Sequence, residues 1–222
     1  MGTLKNGAVL LSAAPIVPEL RRYCPEGAFV VACDAGYRHA SLLGLEPDLI
    51  VGDFDSAPPP PASARTIVLP HVKDDTDTHF AARWLLEQGA KRVVMLGALG
   101  GARMDHTLAN LETGLFLARG GADAVLADAR TELHYLLPGR PLVLPAADAG
   151  GPWKYLSLLP LGGPLTGVTL TGVYYPLREA ALQPDFPLAV SNEFTEPTAA
   201  LSCSGGAGLV LLTRRDGGNI LP

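Results

Sequence analysis

Residues 52 to 110 decide how this chain is read: GDFDS at 52–56, KDDTDTHF at 73–80 and LGALGGARMDHTLAN at 96–110. Each segment sets acid into a short turn beside an apolar run, first Asp53 and Asp55, then Asp74, Asp75 and Asp77, then Asp105. Asp is a favoured turn residue and helix N-cap, so any one of these has a plain structural reading. That reading does not explain why three successive strand-to-helix junctions carry acid, two of them more than once. The repetition points to a divalent-metal and phosphate site.

Outward from that stretch, apolar runs at 8–11, 29–32, 48–51, 66–69, 93–96 and 125–127 are continuous rather than alternating. Such runs suit strands buried on both faces of a parallel sheet. Helices are expected between them: over 15–23, over 37–43 with Leu42 and Leu43 inward, and over 75–88 with Phe80, Trp84 and Leu85 on one face and acid in the first turn. A fourth is expected over 104–117 with Leu108, Leu111 and Leu115 along one face. Four prolines, Pro58 to Pro61, predict an exposed extended connector. After Arg130 helical periodicity stops, and Pro and Gly punctuate short β-rich runs such as LHYLL, WKYLSLL, GVTLTGVYYPL, LAVSNEF and GLVLLTRR. The expected architecture is an α/β N-terminal domain, 1–129, with an open, mostly parallel sheet flanked by helices, and an all-β C-terminal sandwich, 130–222.

Composition narrows the function classes. The 222 residues are 48% hydrophobic and 18% charged, as in a globular chain long enough to bury a core. A net charge of -5 argues against a nucleic-acid partner, which needs a basic surface. No segment approaches the roughly 20 apolar residues of a membrane span. Cys24, Cys33 and Cys203 are too few and too scattered for a disulfide framework or a closely spaced zinc pattern, so a soluble, cytoplasmic protein is expected. The chain has no GxxxxGK[ST], no GxGxxG after its first strand and no GxSxG elbow.

In an open α/β sheet, ligands gather at the carboxyl ends of the strands. Asp34, the 52–56 turn, the acids at 74–77 and the 97–105 turn all fall at that edge. Asp53 and Asp55, two apart in an extended stretch, point the same way and reach one hard cation, for which Mg²⁺ with bound phosphate is the natural choice. Gly97, Gly100 and Gly101 let backbone approach a phosphate ahead of a helix N-terminus, with Arg103 as a forked cation. His39, His71, His79 and His134 share no ligand spacing and read as surface or core residues. Cys33 reads as a small buried hydrophobe, and Trp153 fits either core or site.

Five blocks in order, CDAG, PDLIVGDFDS, KDDTDTHFA, LGALGGARMDHTLANL and SNEF, together resemble thiamine pyrophosphokinases, which move the diphosphoryl group of ATP to thiamine and release AMP. The resemblance spans nearly the whole chain and implies a C-terminal thiamine-binding sandwich. It implies Mg²⁺ and phosphate binding by Asp53, Asp55, Asp74 and Asp77, with Asp34 near the nucleotide. Gly100, Gly101, Arg103, Asp105, His106 and Asn110 would contact phosphate or organise the site, with Asp105 joining Asp53, Asp55 and Asp77 as catalytic acids. Ser191, Asn192 and Glu193 would approach thiamine. A homodimer is implied, its site lying between the first domain of one subunit and the second of the other. One departure is visible: Ala102 separates Gly101 from Arg103, where the family runs GGR directly. No Trp follows SNEF, which leaves Tyr174 and Tyr175 as the aromatic candidates for stacking. Two alternatives stand beside this reading: a diphosphokinase for another hydroxymethyl heterocycle such as a pterin alcohol, and a non-catalytic nucleotide- or thiamine-binding protein.

Overall fold

The apolar runs of the first half become six strands, β1 (Thr3–Leu11), β2 (Ala28–Cys33), β3 (Leu49–Gly52), β4 (Thr66–Val68), β5 (Arg92–Leu96) and β6 (Asp123–Ala127). The computed structural model describes residues 2–54, 65–72 and 74–214, so Asp55, Ser56 and the proline connector lie outside the described residues. The chain divides into two units, Met1–Ala129 and Arg130–Pro222. In the first unit every strand pair is parallel, in the order β6-β5-β1-β2-β3-β4. Helices α1 (Tyr37–Leu42), α2 (Asp77–Glu87) and α3 (Met104–Arg119) fill the connections.

Alternation along the strands sorts the helices onto two faces. Val9, Leu11, Val30, Ala32, Val94 and Leu96 share one apolar cluster with Leu20, Ala40 and Leu43, which places α1 on that side. Phe29, one residue out of phase, stacks on Trp84 of α2 with ring centroids 5.8 Å apart, so α2 covers the opposite side. Helix α3 packs beside α2, where the His79 ring meets Phe116 at 4.7 Å.

Several expectations about faces are corrected. Leu43 is buried but Leu42 is exposed, because a six-residue helix buries only one narrow stripe. On α2 the buried set is Thr78, Ala81, Ala82 and Leu85, and Phe80 and Trp84 sit at its margin. On α3 the inward residues are Asn110, Thr113, Gly114, Leu115, Leu117 and Ala118, while Leu108 is exposed. Small residues let α3 approach its neighbours closely, and that outweighs the larger apolar payload of Leu108. The helix expected over 15–23 is a short 3-10 turn, Pro18–Tyr23.

The second unit is antiparallel throughout. Strands β7 (Thr131–Leu136), β8 (Leu142–Pro145), β9 (Ala147–Asp148), β10 (Gly151–Pro152), β11 (Tyr155–Pro160), β12 (Leu165–Thr171), β13 (Leu177–Leu182), β14 (Thr198–Ser202) and β15 (Gly208–Thr213) follow in order. One layer runs β11-β15-β7 and the other β13-β12-β14-β8, closing on a core that includes Leu136, Leu156, Leu170, Leu201 and Val210. Trp153 belongs to that core, with the Arg214 guanidinium 3.8 Å from its ring centroid and paired to Asp148. The LAVSNEF run forms no strand. Its residues make isolated bridges, Leu156 with Asn192 and Val173 with Phe194, and Ser191 takes a left-handed φ of 58° that a continuous ladder would not accept. Among the described residues no helix is long and apolar enough to cross a membrane.

Candidate active site

Strand β1 has β2, β3 and β4 on one side and β5 and β6 on the other, so the chain order reverses between β1 and β5. In a parallel sheet that reversal opens a crevice at the carboxyl ends of the strands. A cleft of about 320 Å³ lies there. It is lined by the turn after β1 (Ser12 to Pro15), Asp34, the start of α2 (Thr76 to Thr78), the glycine-rich turn after β5, and His106, Thr107 and Asn110 of α3.

Three acids converge. Asp34 directly follows β2, Asp53 directly follows β3 and Asp77 opens α2, and each offers a carboxylate oxygen within 4.8 Å of the other two. Three like charges at that spacing repel, a cost that one hard cation with oxygen preference relieves. Asp34 holds a left-handed φ of 44°, a conformation costing about 1–3 kcal/mol that persists where surrounding structure over-determines it. His71, itself exposed, stands 3.5 Å from Asp53.

The convergent set differs from the expected one. Asp34, expected near the nucleotide, joins the acids. Asp74 stays in an exposed bend outside the cluster, because α2 begins three residues later and only Asp77 is carried to the crevice. Asp55 lies outside the described residues. The extended stretch assumed between Asp53 and Asp55 is broken at Phe54, whose φ is 55°. Asp105 stands on the exposed first turn of α3 and accepts two bonds from Arg103, Nε to Oδ1 at 2.9 Å and Nη2 to Oδ2 at 2.5 Å. The Arg103 guanidinium thereby holds the Asp105 carboxyl down to about 2. Arg103 and His106 line the cleft and Asp105 does not.

The glycine-rich turn is fixed by backbone fit. Gly97 has φ +65°, and a Cβ there would stand 2.4 Å from the Ser12 carbonyl oxygen, so only glycine lets the two turns close. Ser12 N–H donates to Leu96 O at 2.8 Å and Ala14 N–H to Gly97 O at 2.9 Å. Buried Asn110 donates Nδ2 to Ala98 O at 2.8 Å, and Thr107 Oγ1 donates to Gly100 O at 3.1 Å. Asn110 thus shapes the turn, while Gly100 and Gly101 take the left-handed conformation at its rim.

Ser12 and Thr78 were not visible as site residues in the sequence, and Cys33 had only an apolar role. The Ser12 and Thr78 hydroxyls lie 3.1 Å apart, both buried. Cys33 Sγ donates to Asp77 O at 3.5 Å. Burial and then the neighbouring Asp77 carboxylate push the Cys33 thiol far up, so it stays protonated.

In the second unit a separate cleft of about 410 Å³ is lined by Tyr174, Tyr175, Ser191 and Glu193. The two tyrosine rings meet edge-on at 4.8 Å, and Glu193 accepts from Lys154 Nζ at 2.5 Å. Asn192 is buried and its amide binds the surrounding backbone: Oδ1 accepts from Tyr175 N and Glu193 N, each at 3.0 Å, and Nδ2 donates to Tyr175 O at 2.8 Å. It therefore orders the backbone of Tyr175 and Glu193 beside the cleft.

A family model described as the catalytic domain of thiamin pyrophosphokinase matches residues 20–126, and one described as its vitamin B1 binding domain matches residues 146–207. The chain belongs to the thiamin pyrophosphokinase family. It is 26% identical over 207 residues to the thiamine pyrophosphokinase of Bacillus subtilis (strain 168), covering 90% of this chain and 94% of that one. The crystal structure of thiamin pyrophosphokinase from Geobacillus thermodenitrificans superposes with a TM-score of 0.81 at 28% identity, over 95% of this chain and 98% of that one. The Bacillus subtilis crystal structure gives a TM-score of 0.83 at 23% identity, over 94% and 99%, and bears on the fold. Membership makes this chain a kinase-type transferase. Within the thiamin pyrophosphokinase frame, the three acids fall inside the span of the catalytic-domain model and the lining of the tyrosine-lined cleft inside that of the vitamin B1 binding model.

Proposed function

We infer that the protein is a thiamine diphosphokinase, transferring the diphosphoryl group of ATP to the hydroxyl of thiamine to give thiamine diphosphate and AMP. The observation that carries this is the convergence of Asp34, Asp53 and Asp77 at the switch-point crevice of a chain matched by both domains of the family. Their all-oxygen donor set fits Mg²⁺. When bound, that ion would offset phosphate charge and draw electron density from the transferred group. The glycine-rich turn and the N-terminus of α3 present backbone N–H groups to the ATP phosphates. Arg103, paired only at the surface, is available to swing from Asp105 onto phosphate at little cost. The thiamine hydroxyl forms a bond to the β-phosphorus as the bond from that phosphorus to the AMP oxygen breaks, so the protein's task is alignment and exclusion of water.

For the alcohol, Tyr174 and Tyr175 offer ring faces to the cationic thiazolium, and Ser191 and Glu193 supply polar contacts. The vitamin B1 binding match supports thiamine over a pterin alcohol. We further propose a cytoplasmic homodimer. Free Cys24, Cys33 and Cys203 suit a reducing compartment, and exposed Phe186, Leu188 and Val190, leading into Ser191, suit a subunit contact.

Incubation with ATP, Mg²⁺ and either thiamine or a pterin alcohol, with AMP as the readout, tests the assignment. Thiamine-dependent AMP is expected. AMP with the pterin alcohol alone selects the other diphosphokinase, and none with either leaves a binding protein. Asp53→Asn and Asp77→Asn should each lower turnover by at least about 100-fold, with a melting curve within a few degrees of wild type. Retained turnover in both would remove the acids from the site.

A further inference from the structure

Beside the acids in the wall of the cleft lies a buried polar set, Ser12, Cys33 and Thr78. The Ser12 hydroxyl, at the end of β1, is 3.1 Å from the Thr78 hydroxyl on the first turn of α2. Cys33, at the end of β2, donates its Sγ–H to the Asp77 carbonyl, the residue before Thr78, at 3.5 Å. One bond joins the start of α2 to the end of β1 through Ser12 and Thr78, and the other joins it to the end of β2 through Cys33 S–H and Asp77 O. Ser12 is 3% exposed, Cys33 2% and Thr78 9%, so water does not substitute for these bonds. The set is tied further out, since His39 Nδ1 donates to Ser12 O at 2.9 Å.

Position gives the set its consequence. Cys33 directly precedes Asp34 and Thr78 directly follows Asp77, so each acid is the chain neighbour of a member. The Thr76 hydroxyl accepts from His79 N at 3.1 Å, which caps α2 but does not join it to the sheet. We propose that Ser12, Cys33 and Thr78 act as positioning residues, a buried polar pin that sets the spacing of the Asp34 and Asp77 carboxylates and hence the cation affinity of the crevice. Partners that orient metal-holding carboxylates typically change metal affinity 10–100-fold when removed, although they touch no metal.

The test compares Thr78→Val, which keeps the shape and deletes the hydroxyl, with Thr78→Ser, which keeps the hydroxyl and deletes the methyl. Mn²⁺ is the probe, its binding to the full chain followed by electron paramagnetic resonance, with melting temperature measured alongside. Thr78→Val is expected to weaken Mn²⁺ binding about tenfold and Thr78→Ser to stay within about threefold of wild type. Ser12→Ala should match Thr78→Val, and the double variant should lose no more than about twofold beyond either single, because both break one bond. Ser12→Ala also carries the comparison if Thr78→Val does not fold.

Turnover forms a second arm, which alone rests on the diphosphokinase reading: kcat should fall about tenfold in Thr78→Val with the KM for thiamine within twofold. Absence of thiamine-dependent AMP in wild type would sink that reading while the Mn²⁺ comparison still decides the pin. Equal Mn²⁺ affinity in Thr78→Val and wild type overturns the proposal. So does an equal loss in Thr78→Val and Thr78→Ser, or no Mn²⁺ binding by wild type at all.

Discussion

His39 is half-buried on α1, giving its Nδ1–H to the Ser12 carbonyl. Burial lowers its pKa from 6.5 by more than this hydrogen bond raises it. Between that lowered folded value and 6.5 the unfolded chain binds the proton and the folded chain does not. The contribution of His39 is therefore complete above pH 6.5 and is lost as pH falls through that window. Urea midpoints of wild type and His39→Gln at pH 5, 6, 7 and 8 should run parallel above 6.5 and separate below it, wild type falling faster by up to one proton. Parallel profiles throughout would mean that His39 titrates alike in both states. Asp105 loses its contribution in the same direction but lower in pH: its exposed pair with Arg103 is complete above 3.8, is lost as pH falls through about 2, and is weakened by salt.

At the level of elements, the glycine-rich turn carries the most constrained backbone in the crevice. Gly97→Ala imposes a left-handed alanine and drives a methyl to 2.4 Å from Ser12 O, so the turns after β1 and β5 must separate. Left-handed strain alone costs about 1–3 kcal/mol. Urea denaturation should show at least that loss, with Gly44→Ala, also left-handed but with nothing near its Cβ, as the milder reference. Equal losses at both positions would mean that the close approach is unimportant. Continuous apolar runs made the strands legible, because a parallel sheet buries both faces and leaves no alternation to misread. Acids at successive strand ends made the crevice legible once those ends shared an edge. The buried face of α3 was not legible, since Thr113, Gly114 and Ala118 carry little apolar signal and win by close packing. Neither was the choice of Asp77 over Asp74, which turns on where α2 starts. Ser12, Cys33 and Thr78 come from separate segments, with nothing in their spacing to show that they meet.

Across the whole molecule, each unit has its own core and its own cleft, with acids and glycines in the first and tyrosines and Glu193 in the second. A reaction joining an anionic nucleotide to a cationic alcohol benefits from that division: the charges proposed to hold Mg²⁺ are not those proposed to hold the thiazolium, so either half is tunable alone. The two halves should then separate kinetically. Tyr175 is two-thirds exposed, yet both its backbone N–H and its carbonyl are tied to the buried Asn192 amide, so its backbone is fixed at the cleft while its ring stays outside the core. A cation over an aromatic face contributes about 0.5–2 kcal/mol, which corresponds to roughly two- to thirtyfold in binding. Tyr175→Leu keeps apolar bulk and removes the ring face, so it should raise the KM for thiamine within that range while the KM for ATP stays within twofold. Asn192→Ala should produce the same pattern by freeing Tyr175, whereas Asp53→Asn should lower kcat with little change in the thiamine KM. If Tyr175→Leu instead raised both KM values equally, or neither, the tyrosine-lined cleft would not be where the alcohol is recognised.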